Sequence, residues 1–421
     1  MSRDNNAAHV YGMPTHEYRQ IAIGEVHARP YLQVDPYHAL VRLTFMNENT
    51  LPTPNLHTDS GSRPPSPIQH DLSWRDGDLH YEKHTEFSTC LWSAPLDPQT
   101  HTLIGKNPFK NGFVAPGPVI CGTRLDILPW SVETAKLVEC FDGPSLCYSR
   151  VENGKAEIIT DFRQDEDGLT RMVILDRGLT PAQLGALAQR LLEIEMYRTL
   201  AMLAIPVFRQ LMPLLREIEK RLTLITDEMR IGVRSNSEAL LSQLTDLSAA
   251  LEADAAKSLY RFGASRAYYE IIEERLVALD EEVVSGYYRW RTFLHRRIAP
   301  AMRTCRSVEK RQADLSDKLA RATSLLRSWI DIQLERQNSD LLTSMNNRAR
   351  IQLQLQQTVE GLSVVAISYY VVGLLSRALD GIKGLNAFAQ PDLIVSASVP
   401  LIVLVIWLVI RRIRHSHKEA T

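Results

Sequence analysis

From Ala301 to Glu360 the chain runs without a proline or a glycine, and after Gly361 it enters the apolar stretch LSVVAISYYVVGLL at 362–375. Apolar residues recur at 308, 315, 319, 322, 326, 330, 334, 341 and 345, mostly three, four or seven apart. That is the seam of a long helix that packs on other helices. At 1.5 Å per residue, the segment reaches about 90 Å. Such a helix cannot bury its own stripe, so it needs partner helices from this chain or from copies of it.

The chain end narrows the fold further. Leu393–Ile410, LIVSASVPLIVLVIWLVI, carries no charge. A run of this length is read as a membrane helix. Pro400 is tolerable there, because neighbouring helices can satisfy the freed carbonyl. The earlier run extends to about Leu379 if Arg377 snorkels to the interface. Alone, that run suits a buried core helix equally well. Its position just before a second apolar run points instead to a two-helix transmembrane hairpin.

Charge sets the expected topology. The tail carries Arg411, Arg412, Arg414 and Lys418; Arg348 and Arg350 precede the first run; the stretch between the runs carries only Lys383. Positive-inside then places both the N-terminus and the C-terminus in the cytoplasm of a multi-pass protein of the inner (cytoplasmic) membrane. The opening MSRDNNAAHVYGMPTHEY lacks the basic-then-apolar order of a signal peptide. Hydrophobic content of 45% suits a globular head, and a net charge of −1 gives no reason to expect nucleic acid. The five cysteines lack CxxC spacing, which suggests reduced thiols rather than a disulfide framework.

The expected class is α+β. Residues 1–180 read as an α/β domain with antiparallel hairpins, 181–300 as a helical domain and 301–360 as a coiled-coil-like stalk. The membrane helices are 361–379 and 393–410, joined by an extracytoplasmic loop at 380–392 and followed by a basic tail at 411–421. One hairpin is expected across IQHDLSWR and DLHYEKHTEFSTCLW, with Asp76-Gly77 as the turn and Trp74 opposite Leu79. A second is expected at 156–176. Thr180-Pro181 reads as a helix start. Further helices are expected at 214–257 and 264–298, divided near Arg261-Phe262-Gly263.

In the first hairpin His80, Glu82, His84 and Glu86 alternate, so on a strand they leave one face. Imidazole and carboxylate together suit a divalent metal ion. Neighbours two apart on a strand are about 7 Å apart, so the four cannot close on one ion. Glu82, His84 and Glu86 are the candidate ligands, and a solvated or helix-edge polar face with His–Glu pairing is the competing reading. Leu72, Trp74, Leu79, Tyr81 and Phe87 are expected on the opposite, apolar face. Glu25, His27 and Arg29 before Pro30 form a second polar cluster. The acidic run Asp161, Asp165, Glu166, Asp167 lacks calcium-loop spacing and reads as a hairpin turn. No GxSxG, Walker, GxGxxG or HExxH motif is present, so nothing favours an enzyme. In the first membrane run Ser363, Ala366, Tyr370, Gly373 and Arg377 form a stripe, either a helix contact within the hairpin or the wall of a pore between copies.

GEVHARP (24–30), EKHTEFST (82–89), TDFRQDEDG (160–168), QRLLEIEMYRTLAMLAIPV (189–207), RFGASRAYYE (261–270), RRIAPAMRTC (296–305) and the stretch 335–375 together resemble a bacterial membrane-anchored family known only as a domain of unknown function. The resemblance implies a membrane anchor and supplies no activity. The order of parts is also similar to the CorA-type divalent-cation channels, which carry Gly-Met-Asn beyond their first span; here Gly384-Leu385-Asn386 stands between the runs. The expected function is therefore a homo-oligomeric membrane protein, associating through stalk and membrane helices, with divalent-cation passage as its activity. A membrane-tethered scaffold or signalling protein is the alternative.

Overall fold

The computed structural model describes residues 9–11, 13–19, 23, 32–47, 69–74, 77–104, 107, 109, 113–231, 236–382 and 391–418. Contacts divide the chain into two compact units, Met1–Thr323 and Ser324–Thr421.

The first unit is built on a nine-stranded sheet. A separate two-stranded ribbon pairs β1 (His9–Val10) with β2 (Met13–Pro14). The large sheet contains β3 (His38–Met46), β4 (Gln69–Trp74), β5 (Gly77–Lys83), β6 (Phe87–Pro95), β7 (Val119–Pro129), β8 (Cys147–Val151), β9 (Ala156–Gln164), β10 (Thr170–Asp176) and β11 (Glu282–Val283). Their order is β11-β8-β9-β10-β7-β3-β6-β5-β4, and all neighbours are antiparallel except β10 and β7.

Both expected hairpins form. In the first, Trp74 pairs with Gly77 and Leu72 with Leu79, a register two residues from the expected one. A shift of two keeps every side chain on its face, because the strand period is two. The physical reason lies at Gly77. A Cβ there would stand 2.3 Å from the Ser93 carbonyl oxygen and 2.4 Å from Trp92 Nε1. This glycine serves a close approach of strands rather than a turn. Asp76 lies outside the described residues. In the second hairpin, Asp165 Oδ1 accepts from the amides of Asp167 and Leu169 at 3.0 and 2.9 Å, and Gly168 takes φ +78°. The acidic run is thus a side-chain-closed turn.

A short helix α1 (Val132–Ala135) follows β7. Helix α2 (Pro181–Met202) starts as the sequence predicts. Thr180 caps the Gln183 amide, and Gln183 Oε1 accepts the Thr180 amide at 3.0 Å. Helix α3 (Ala204–Ile231) contains Pro213, and α4 (Ser237–Ala278) runs unbroken for 42 residues. The break expected at Arg261-Phe262-Gly263 is absent. Phe262 is fully buried, and its packing outweighs the cost of about 1 kcal/mol for a helical glycine.

Helix α5 runs from Trp290 to Ile382, 93 residues with Pro300 inside. Its start is tied down by one carboxylate: Glu281 accepts from the Trp290 and Arg291 amides at 2.8 and 2.9 Å and from Ser149 on β8 at 2.6 Å. From Val308 to Ala322 its buried row packs within the first unit, and Arg311 reaches Glu219 of α3 through two bonds of 2.7 and 2.5 Å.

The second unit holds the rest of α5 and helix α6 (Pro391–Lys418), which contains Pro400. The end of α5 includes an 18-residue window long and apolar enough to cross a membrane; in α6 the corresponding described stretch, Ser396–Ile410, is shorter.

Candidate functional site

Residues directly opposite in a sheet share a face, so pairing defines the site. Thr44, Thr89 and Glu82 form one rung; Arg42, Leu91 and His80 form the next. The other face holds Val41, Phe45, Leu79, Tyr81, Cys90 and Trp92 in one apolar cluster. Phe87 departs from the expectation. It packs with Met196 and Leu200 on the side that carries Glu82, because the turn at 84–86 resets the alternation between β5 and β6.

That turn is held from three directions. The His84 amide donates to the Phe87 carbonyl at 2.8 Å, and the Asn47 amide donates to the Glu86 carbonyl at 2.9 Å. A side-chain relay completes it: Tyr81 Oη donates to Ser88 Oγ, Ser88 Oγ to Asn47 Oδ1 at 2.6 Å, and Asn47 Nδ2 to the His84 carbonyl at 2.7 Å. The Glu86 side chain, 7% exposed, is thereby aimed at α4. Arg261 closes on Glu86 Oε1, and Tyr268 Oη donates to Oε2 at 2.7 Å. Burial, and then the bond to Glu86, raise the Tyr268 hydroxyl above its ordinary pKa. Phe87, Tyr197 and Tyr268 pack ring to ring beside this pair, with Tyr197 and Tyr268 stacked at 5.5 Å.

Glu82 and His84 stay close, with His84 Nε2 3.5 Å from Glu82 Oε1, while His84 stacks on Phe87 at 4.3 Å. Behind them burial lowers the pKa of Arg42, and the charges of Glu193 and Glu82 oppose that. Glu193 in turn accepts from Arg275 Nε of α4 at 2.6 Å. So Glu82 and His84 are brought together, whereas Glu86 turns away to Arg261. Among the described residues no group of three His, Cys, Asp or Glu side chains is placed to hold a metal ion. Tyr197 of α2 and Tyr268 of α4 pack over Phe87 at one end of this face, while the paired Glu82 and His84 side chains keep 27% and 18% exposure, as a helix-edge polar face with His–Glu pairing would.

The reading of single residues missed Arg261, Tyr268, Arg42 and Glu193. Arg261 and Tyr268 stand seven apart and so share a helix face, but that spacing names no partner. Three further buried carboxylates show the same chemistry. Glu195 accepts from Thr170 Oγ1 at 2.8 Å and Arg198 Nε at 2.7 Å; Glu157 from Arg177 at 2.7 Å; Asp126 from Arg124 at 2.8 Å. Each carboxylate ends on an arginine, so none is poised as a lone acid or base. A cavity of about 350 Å³ lies between α4 and α5, with Ser258, Phe262 and Gln312 in its wall and Glu252, Glu309 and Asp317 around it.

On α5, Ser363, Ala366, Tyr370, Gly373 and Arg377 are all exposed, and a Cβ at Gly373 would meet nothing within 4 Å. The buried flank of the same segment is another one, centred on Ser368 with Val364, Val372 and Leu375 partly covered. The stripe thus lies on the exposed flank of this segment. Gly384 and Asn386 lie outside the described residues, as do Glu25, His27 and Arg29.

A family model described as "Protein of unknown function (DUF3422)" matches residues 14–417, almost the entire chain. The chain belongs to this family. No curated protein matches it. In this DUF3422 chain, three of the stretches that carried the resemblance meet in space: EKHTEFST through Glu86 and Phe87, RFGASRAYYE through Arg261 and Tyr268, and QRLLEIEMYRTLAMLAIPV through Tyr197. Their meeting point is a buried latch between sheet and helices.

Proposed function

We propose that the chain is a membrane-anchored homo-oligomer of the cytoplasmic membrane, in which α5 and α6 form a two-helix hairpin and the assembled copies pass divalent cations. The carrying observation is the exposed row Ser363, Ala366, Tyr370, Gly373 and Arg377 on the apolar end of α5. Polar side chains facing lipid are costly and small ones let helices approach closely, so in a bilayer this row turns toward protein or water. The chain's own buried flank lies elsewhere, which leaves other copies to cover the row. Hydroxyls at 363 and 370 then line the space between copies and can replace part of a cation's hydration shell.

The order of parts supports the same reading: α/β head, bundled helices, one long helix leading into the apolar segment, a second apolar helix and a basic tail. The latch at Glu86 fits a head that holds its helices rigidly. The loop with Gly384 and Asn386 would lie on the far side of the membrane, with both termini in the cytoplasm.

Alkaline carbonate extraction of full-length protein, followed by a detergent-corrected mass, tests anchoring and assembly. Retention in the membrane pellet and a mass of several chains are expected, with retention lost in the full-length double variant Val365→Arg, Val403→Arg. Wild-type protein that extracts into solution, or has the mass of one chain, contradicts the proposal.

A further inference from the structure

We infer that residues 334–362 of α5 form a parallel, in-register coiled coil with copies of the same chain, and that Asn338 and Gln352 set its register. This deepens the proposed function and rests on it for the parallel direction: helices that enter one bilayer must run the same way.

The buried row Val308, Gln312, Leu315, Leu319, Ala322 and Leu326 is covered within the chain. The row continues through half-buried Ile330 to Leu334, and there covering stops. From Leu334 the pattern turns into a strict alternation of four and three: 334, 338, 341, 345, 348, 352, 355, 359, 362. One set of these positions holds Leu334, Leu341, Leu355 and Leu362, interrupted by Arg348; the other holds Met345 and Val359 with the two amides. The apolar members are each more than half exposed, Leu334 at 53% and Leu362 at 70%. A heptad kept over four repeats calls for a helix with the same repeat.

The polar members identify that helix as another copy. An amide side chain is both donor and acceptor, so Asn338 can bond to Asn338 and Gln352 to Gln352 across an axis. A slip of one heptad sets each amide against Met345 or Val359 and leaves it buried without a partner. The segment carries three acidic and three basic side chains, so copies lying side by side gain no net repulsion. Arg348 is the one layer that opposes assembly, since like charges meet there.

Cysteine scanning of the full-length protein in membranes tests the register, with Cys140→Ser removing the exposed thiol. Leu341→Cys and Leu355→Cys should cross-link copies on mild oxidation, whereas Thr343→Cys and Gln357→Cys, on the outer face, should not. Arg348→Leu should raise the cross-linked fraction several-fold. Equal cross-linking at 343 and 357 overturns the seam. So does no cross-linking at any position in protein that resists carbonate extraction, which leaves the membrane anchor standing. Protein that extracts freely overturns the anchor, and the four-position pattern then decides the seam on its own.

Discussion

Tyr268 donates to Glu86 Oε2 at 2.7 Å while Arg261, two helical turns earlier on α4, holds Oε1 of the same carboxylate. One buried side chain from a strand turn thus fastens a helix that is far away in the chain. Glu86→Ala would leave Arg261 buried without its counter-charge and should destabilise by about 3–5 kcal/mol. Tyr268→Phe removes one donor to a charged acceptor and should cost about 1.5–3 kcal/mol. Urea midpoints of both variants and of the double variant check this, and the double variant should cost less than the two single losses added together.

At Gly77 the close approach of Ser93 and Trp92 leaves no room for a side chain. Gly77→Val should lower stability by about 1–3 kcal/mol through overpacking. Thermal melting measures it; a melt equal to wild type contradicts the register described for β4, β5 and β6.

Stability should fall at both ends of the pH scale. The bonds from Arg311 hold the Glu219 carboxyl below its ordinary value of 4.5, so its contribution is present above that value and is lost as pH falls through the lowered one. Burial and the bond to Glu86 raise Tyr268 above 10.0, so its contribution is full below pH 10.0 and declines as pH rises beyond it. Urea midpoints measured across pH should show both limbs. Arg311→Met should flatten the acid limb, and Tyr268→Phe the alkaline one.

All five cysteines are free thiols, and only Cys140 is exposed. Burial pushes Cys90 to about 12 and Cys121 and Cys305 to about 11. The thiolate is the reactive form. A thiol reagent at neutral pH should therefore label one site in the folded chain and five in denaturant, with Cys140→Ser abolishing the native reaction.

Local patterning was readable where it depends on neighbours in the chain. Alternation gave both hairpins, Thr180-Pro181 gave the start of α2, and the absence of proline and glycine gave the body of α5. It failed where distant packing decides. Gly77 reads as a turn glycine, yet its role is set by Trp92 on the next strand. Gly263 reads as a break, yet Phe262 beside it is buried and carries the helix through. The Glu86 latch could not be found from spacing, since its partners lie 175 and 182 positions away. Nor could β11, two residues from a helical region that complete the sheet edge. The stripe on α5 was readable as a row of residues; which way it faces was not.

The central claim is tested most directly by ion flux. Full-length protein is reconstituted in liposomes that enclose a magnesium-sensitive dye, and uptake is followed after external magnesium is raised. The account predicts uptake well above empty liposomes, reduced several-fold by Ser363→Leu with Tyr370→Leu in protein of unchanged oligomer mass. Oligomers of the expected mass that admit no more ion than empty liposomes would contradict it and leave α5 and α6 as a tether alone.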